Sequence, residues 1–151
     1  MITFHVESFR AGVPEIKKLI VGHWDELALN KDEVPLDPMW EVYFQRENRG
    51  EVLFIAARDA GEMVGYFIGF IAPGLHYRTC LTCTMDIFYV RPDKRTGSAG
   101  IRLFKFMEEE VKRRGVRRLF VGAKLKADAS PLFERLKYER VEVYYSKWLG
   151  K

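Results

Sequence analysis

The chain has 151 residues, of which 48% are hydrophobic, 14% aromatic and 30% charged, a composition that excludes an intrinsically disordered protein. This length suits one domain that buries roughly two-thirds of the surface exposed by its unfolded chain. The net charge of +4 favours anionic ligands, but it is too small and too dispersed to indicate nucleic-acid binding, and we expect no nucleic-acid partner.

The N-terminal residues do not show the features of a targeting sequence. Residues 1–6 lack the basic region, apolar stretch and cleavage site of a signal peptide, and no apolar run reaches membrane-spanning length. We therefore expect a cytoplasmic protein without a membrane partner.

The first half of the chain predicts a strand, two helices and a hairpin. Alternating apolar residues at 2–6 have the period of a half-buried strand. Apolar residues at helical spacing predict a helix over 13–29, with Pro14 in its first turn, and another over 39–49. Two β-rich runs separated by a short polar turn, 52–57 and 63–71, then predict a hairpin.

The second half alternates between strands and helices. A strand over 82–90 leads through a loop into a helix over 101–114, which Gly115 is placed to end. We further predict a strand over 118–123, a short helix from about 128 to 136 and a closing strand over 140–149. The prediction is a single α/β domain over residues 1–151.

Cys80 and Cys83 have a spacing that permits a redox pair or half of a zinc site. A redox pair would open a helix after a strand, whereas these residues enter a predicted strand. Strand alternation sends two residues three apart to opposite faces, and histidine ligands are scarce. We therefore predict structural thiols and no metal site.

The loop before the helix at 101–114 is suited to phosphate binding. Small residues in 95–100 let backbone N–H groups approach an anion, and the helix N-terminus adds unsatisfied donors and a positive dipole. Arg91, Lys94, Arg95 and Arg102 add positive charge. The Walker and dinucleotide-binding glycine patterns are both absent. The alternative is a glycine-rich turn with a purely structural role.

These residues resemble a known family. Arg95-Thr-Gly-Ser-Ala-Gly100 is similar to the loop signature of the GCN5-related N-acetyltransferase (GNAT) family, with Ser98 where a glycine is usual. The segment Phe88-Tyr-Val-Arg-Pro-Asp93 and the later Pro131-Leu-Phe-Glu-Arg-Leu-Lys-Tyr138 also resemble family elements, as does the order of strands and helices. Residues 22–27 and 35–38 further resemble phage-type members.

The resemblance implies an α+β GNAT-like domain, with a mixed, mostly antiparallel sheet flanked by about four helices. It implies an enzyme that moves an acetyl group from acetyl-coenzyme A to a primary amine of a small molecule or protein, by direct attack in a ternary complex. Backbone amides of the loop would contact pyrophosphate, and the preceding strand would pair with the pantetheine arm. The implied cofactor-binding residues are Phe88, Tyr89, Val90, Arg95, Thr96, Gly97, Ser98, Ala99 and Gly100.

The resemblance also implies a catalytic base, Asp86, on the strand before the loop; the alternative for this carboxylate is an ion pair at the strand edge. The tyrosine that usually protonates the leaving thiolate corresponds to Phe133, which leaves Tyr138 and Tyr89 as candidate substitutes.

A module that binds coenzyme A or interacts with nucleic acid without turnover is the competing function.

The acceptor region is predicted from charge placement. Acidic residues are concentrated between 25 and 37 in an otherwise basic protein, and the family resemblance places this region at the acceptor entrance. We predict a cationic amine acceptor bound by Asp25 and Glu26. A solvated helix end is the alternative, and a homodimer is left open.

Overall fold

Five strands form one mixed sheet whose spatial order follows the order of the chain, β1 to β5. The computed structural model describes residues 1–150. Neighbouring strands are antiparallel except for β4 and β5, which are parallel. The elements are β1 (Ile2–Val6), α1 (Phe9–Leu27), α2 (Trp40–Asn48), β2 (Val52–Asp59), β3 (Glu62–Gly74), β4 (Tyr77–Val90), a 3-10 turn (Pro92–Lys94), α3 (Ala99–Arg113), β5 (Arg118–Phe120) and α4 (Ser130–Arg135).

The sheet separates two hydrophobic cores. On one face, α1 and α2 cover Phe54, Tyr66 and Ile68, and on the other α3 and α4 cover Leu53, Phe67 and other buried residues. Both faces of the central strands are buried, which explains the nearly continuous apolar runs in β2 and β3. The predicted α+β domain with four flanking helices is confirmed.

Helix α1 begins four residues before its predicted start. The Ser8 side chain accepts a hydrogen bond from the backbone N–H of Ala11, and the carboxylate of Glu47 in α2 accepts from Phe9 and Arg10. These acceptors satisfy donors of the first turn and allow the earlier start. Pro14 therefore lies inside α1, and its predicted first-turn position was wrong.

A β-bulge interrupts the pairing of β3 with β4. Ile68 is opposite Ile87 and Gly69 is opposite Met85, so Asp86 is the extra residue on β4. A Cβ on Gly69 would lie 2.9 Å from both the Cys83 sulfur and a Phe67 ring carbon. Because this distance is too short for a side chain, the position beside the bulge requires glycine. Bulges of this kind increase strand twist and redirect a side chain.

Pairing between β4 and β5 is short. Only Thr82, Cys83 and Thr84 pair with Arg118, Leu119 and Phe120. The strand predicted over 118–123 thus ends at Phe120, and the two strands separate where β4 continues toward Val90.

The predicted closing strand over 140–149 is wrong. Residues 139–150 have no regular secondary structure, and Val141, Val143 and Tyr145 are 72%, 70% and 93% exposed. Alternation alone does not form a strand when no neighbouring strand supplies hydrogen-bond partners.

The two cysteines occupy different environments. Cys83 is fully buried in the core beneath α3, and burial raises the pKa of its thiol to about 11. Cys80 is partly exposed and lines a groove on the α2 face of the sheet.

Within residues 1–150, no helix is both long and apolar enough to cross a membrane.

Candidate active site

The loop between β4 and α3 presents a row of free backbone donors. Within residues 1–150, the N–H groups of 96–101 have no backbone or side-chain acceptor. Gly97 has a φ of 60°, in the left-handed region that glycine adopts without steric cost, and Ala99 begins the helix. Successive amides at a helix N-terminus form an anion-binding site.

The basic side chains near this loop are engaged by groups of the protein. Arg91 pairs with Glu62 and Asp93, and Lys94 pairs with Asp59. Arg102 donates to the backbone carbonyl of another element, β1. These side chains are therefore already engaged, and an anion at the loop would meet chiefly backbone donors and the helix dipole.

Arg95 anchors the loop to α1. Its guanidinium donates to both carboxylate oxygens of Glu26 at 2.7 and 2.6 Å, and its Nε donates to the carbonyl of Val90 at 2.7 Å. The same guanidinium lies 5.4 Å from the ring centroid of Tyr89. The loop is thus held by a bidentate ion pair between distant parts of the sequence.

The edge of β4 beside the loop has no strand partner. Beyond Thr84, no strand of residues 1–150 pairs with the β4 edge that faces β5. An extended ligand arm with amide groups could add to such an edge in the manner of a short strand.

The three residues of β4 that are predicted to pair with the pantetheine arm have their side chains packed into the domain. Phe88 contacts the rings of Phe104 and Phe133, with the Phe104 centroid 5.0 Å away. Tyr89 faces the opposite core, where it stacks on His23, and Val90 is buried beneath α3. Only the backbone of these residues is placed to face a ligand at the free edge.

The bulge brings Asp86 to α2. The Tyr43 hydroxyl donates a hydrogen bond to the Asp86 carboxylate. Burial raises the pKa of Asp86, and this effect is opposed by the Tyr43 hydrogen bond and by the positive charge of Arg46. A carboxylate with a raised pKa and one free oxygen can accept a proton from an adjacent group.

Two adjoining cavities lie on the α2 face of the sheet. The smaller, about 280 Å³, contains Asp86 and Tyr43, and the larger, about 380 Å³, extends to β5. Arg46 and Phe70 line both cavities. A substrate in the larger cavity would therefore be continuous with the space beside Asp86.

No tyrosine occupies the position of the usual proton donor. Phe133 is buried in the core, with its ring 5.7 Å from that of Tyr138. The Tyr138 hydroxyl is buried without a hydrogen-bond partner among residues 1–150, and burial raises its pKa. The hydroxyl of Tyr89 lies against α1 near Gly22.

The predicted acceptor residues do not line these two cavities. Glu26 is paired with Arg95, and Asp25 lies 3.7 Å from the Lys31 ammonium group. Their role in acceptor binding remains a prediction, since both carboxylates already face cations of the same chain.

Tyr43 and Arg46 were not identified from the sequence. Their spacing in α2 indicates only an amphipathic helix, and nothing in it reports contact with β4, 40 residues away. His23 was also missed. It is 5% exposed, its Nδ1 lies 2.8 Å from the Tyr66 hydroxyl, and burial lowers its pKa to about 4.

The fold is similar to several solved acetyltransferase structures. An aminoglycoside acetyltransferase from an uncultured soil metagenomic sample matches with a TM-score of 0.77 and 15% identity, over 99% of each chain. The ribosomal-protein-alanine N-acetyltransferase from Brucella melitensis biovar Abortus matches with a TM-score of 0.73 and 16% identity, over 99% of this chain and 100% of that one.

A third structure is a predicted acetyltransferase from Clostridium acetobutylicum with acetyl-coenzyme A. It matches with a TM-score of 0.69 and 11% identity, over 99% of this chain and 97% of that one. At these identities the likeness establishes the fold.

Sequence comparison with curated proteins finds no match. The model of the Acetyltransferase (GNAT) family, however, matches residues 19–138 and so includes the whole loop and the bulged strand. The chain therefore belongs to the GNAT acetyltransferase family.

Proposed function

We propose that this protein is an acetyl-coenzyme A-dependent N-acetyltransferase that acts on a primary amine. The observation that carries the proposal is the row of unpaired N–H groups at 96–101, placed where β4 and β5 separate. Such a row can bind pyrophosphate without a metal or a cluster of free cations.

The residues present fit acetyl-coenzyme A. The amides of Arg95, Thr96, Gly97, Ser98, Ala99 and Gly100 form the candidate phosphate loop; of these, the Arg95 amide donates to the Pro92 carbonyl in this structure. The backbone of residues 88–90 provides the candidate edge for the pantetheine arm. When bound there, acetyl-coenzyme A would supply an acetyl thioester as the activated acyl group.

The acceptor would approach from the α2 face, where Asp86 lies. A protonated amine gives its proton to the Asp86 carboxylate directly or through water, and the neutral nitrogen then forms a bond to the acetyl carbonyl carbon. The carbon–sulfur bond would break with its electron pair leaving on sulfur, and the nitrogen would lose a second proton, through water, to that sulfur; the products are the amide and the free thiol. Holding both reactants in one site supplies much of the acceleration.

Tyr43 would position the base. Its hydroxyl holds one Asp86 oxygen, which fixes the carboxylate and leaves the other oxygen for the acceptor. Arg46 opposes the rise of the Asp86 pKa, and so keeps the carboxylate ionised over a wider pH range.

The proposal is tested with the purified full chain by release of free thiol from acetyl-coenzyme A. Amines of positive, neutral and negative charge are compared, together with the thermal shift produced by acetyl-coenzyme A alone. Thiol release that depends on an amine, with a shift that rises with cofactor concentration, is the expected result.

The two parts of the experiment separate the competing functions. A thermal shift without thiol release on any amine would support a coenzyme A-binding module. The absence of a shift at millimolar acetyl-coenzyme A would reject both functions.

A further inference from the structure

The larger cavity on the α2 face differs in charge from the predicted acidic entrance. Its wall includes two arginines, Arg46 and Arg118, and no aspartate or glutamate. The remaining wall is mainly apolar or uncharged and includes Phe70, Leu75 and Thr82. An occupant of this cavity would meet positive charge and apolar surface.

Both arginines are free to bind an anion. Among residues 1–150, neither guanidinium forms a salt bridge or a side-chain hydrogen bond, unlike those of Arg58, Arg91 and Arg95. Arg46 is positioned by contact with an aromatic ring, since its guanidinium carbon lies 4.4 Å from the centroid of Phe70. Arginine is well suited to bidentate recognition of carboxylate and phosphate.

The strand register indicates how far the two arginines lie from the candidate base, Asp86. Phe70 is opposite Thr84, two residues from Asp86, and Arg118 is opposite Thr82, four residues from Asp86. At a rise of about 3.3 Å per strand residue, these two to four residues place the anion-binding region roughly 7–13 Å from the base.

We infer that the acceptor is an amine that also carries a carboxylate or phosphate several bonds from its nitrogen. The amine lies beside Asp86, and the anionic group lies between Arg46 and Arg118. This inference rests on the proposed function and names the substrate class of that site. A compact α-amino acid would be too short to span the two regions. The sequence-based hypothesis of a cationic acceptor predicts the opposite preference.

The inference is tested by binding, with matched probes that differ in one anionic group. Triglycine and triglycine amide have the same amine and length, and 6-aminohexyl phosphate and 6-aminohexanol form the phosphate pair. Calorimetric titration of the full chain in saturating coenzyme A measures each affinity. We expect the acid of at least one pair to bind about tenfold more tightly than its neutral partner. The pair with the larger ratio identifies carboxylate or phosphate.

Two arginine variants and one control variant test whether Arg46 and Arg118 cause the tighter binding of the acid. Arg118→Gln and Arg46→Gln are each expected to reduce the ratio to about threefold or less, whereas Arg117→Gln, an exposed neighbour outside the cavity wall, retains it. Circular dichroism checks that the variants are folded.

The outcome separates this inference from the proposed function. Equal or weaker binding of the acids in both pairs overturns the anion-bearing acceptor, whether or not turnover occurs. An unchanged ratio in both arginine variants also overturns it. Thiol release with neutral or cationic amines alone would leave the proposed function standing and reject the inference, whereas no release with any amine rejects the proposed function itself.

Discussion

Residues 77–90 and residues 140–149 both show strand-like alternation, and of these two stretches only the first becomes a strand. Residues 77–90 form β4, which pairs with β3 along nearly its whole length and is covered by helices on both faces. Residues 140–149 alternate as clearly, yet they have no strand partner and remain exposed. Alternation shows which side chains could be buried together, whereas a strand also requires a neighbour with free backbone groups.

The comparison extends to function. The β4 stretch carries the bulge at Asp86 and leads into the loop and α3, so its pairing determines where the candidate base and the free amides lie. Substitutions there should affect binding, turnover or folding, and equivalent changes in residues 140–149 should have little effect.

The largest expected effect is at Asp86. Asp86→Asn should lower the rate of thiol release about 10²–10³-fold at neutral pH, because the base is lost. The rate should recover partly at high pH, where solvent deprotonates the amine. Acetyl-coenzyme A affinity should not change.

Asp86→Asn should be less active than wild type but more stable. The folded-state pKa of Asp86 is raised, so its charge costs stability above that pKa, and asparagine removes the cost. We expect a higher Tm at pH 7. Asp128→Asn, a change on the exposed surface, is the control. Full activity in Asp86→Asn would remove the assignment of Asp86 as the base.

The second effect concerns the loop and has a matched control at the other end of α3. Gly97 and Gly115 both have positive φ, 60° and 85°, and a Cβ on either would contact nothing within 4 Å. Valine should therefore strain both positions by a similar amount. Only Gly97→Val should weaken acetyl-coenzyme A binding, by about 100-fold, as measured by calorimetry; equal affinity in the two variants would reject the loop assignment.

Gly100 is a less informative position for this test. A Cβ there would lie 3.4 Å from a methyl group of Leu132 in α4. A larger residue at this position would therefore disturb helix packing as well as the loop.

The third effect is the pH dependence of stability, which His23 should dominate. Burial lowers its pKa in the folded state to about 4, whereas the unfolded value is near 6.5. The unfolded chain therefore binds more protons between these values, and stability falls as pH decreases through this range. The loss between pH 7 and pH 5 should be about 2 kcal/mol.

Urea unfolding at the two pH values measures this contribution. His23→Gln should show a loss smaller by about that amount, whereas His76→Gln, at an exposed position, should behave as wild type. An equal pH dependence in His23→Gln would show that the folded state accommodates the charged ring.

Much of the fold and part of the site follow from the sequence. The hairpin, the helices and the position of the loop between β4 and α3 were predictable because glycine, proline and polar turn residues separate regular apolar patterns. The loop signature also located the free amides, since the backbone there depends on local residues. These features require only short-range information.

The remaining features depend on contacts between distant segments. Glu47 supplies acceptors to the start of α1, and Glu26 holds Arg95, although neither pair shares a local motif. The bulge at Asp86 and its contact with Tyr43 depend on strand register, which alternation in a single strand does not define. The cation partners of Asp25 and Glu26, Lys31 and Arg95, likewise could not be predicted from the acidic stretch alone.

The fourth effect is at the junction between α4 and the unpaired segment. Lys137 has a φ of 68°, where a non-glycine residue costs about 1 kcal/mol. Lys137→Gly should therefore stabilise the domain by about 0.5–1 kcal/mol in chemical denaturation. Asn30→Gly, at a φ of 51°, is the control and should gain less, because asparagine tolerates this conformation. A loss of stability in Lys137→Gly would show that the lysine side chain makes a stabilising contact.

The smallest expected effect lies in residues 140–149, and it is compared with the same substitution in β4. Val143 is 70% exposed and Val90 is 7% exposed beneath α3. Val143→Asp should change the free energy of unfolding by less than about 0.5 kcal/mol, whereas Val90→Asp should cost more than about 3 kcal/mol, because it buries an unpaired carboxylate. Deletion of residues 141–151 should likewise leave the urea midpoint and cofactor binding close to wild type. A loss of several kcal/mol in either Val143→Asp or the deletion would mean that this segment pairs with a strand edge in solution, and the contrast between the two alternating stretches would then fail.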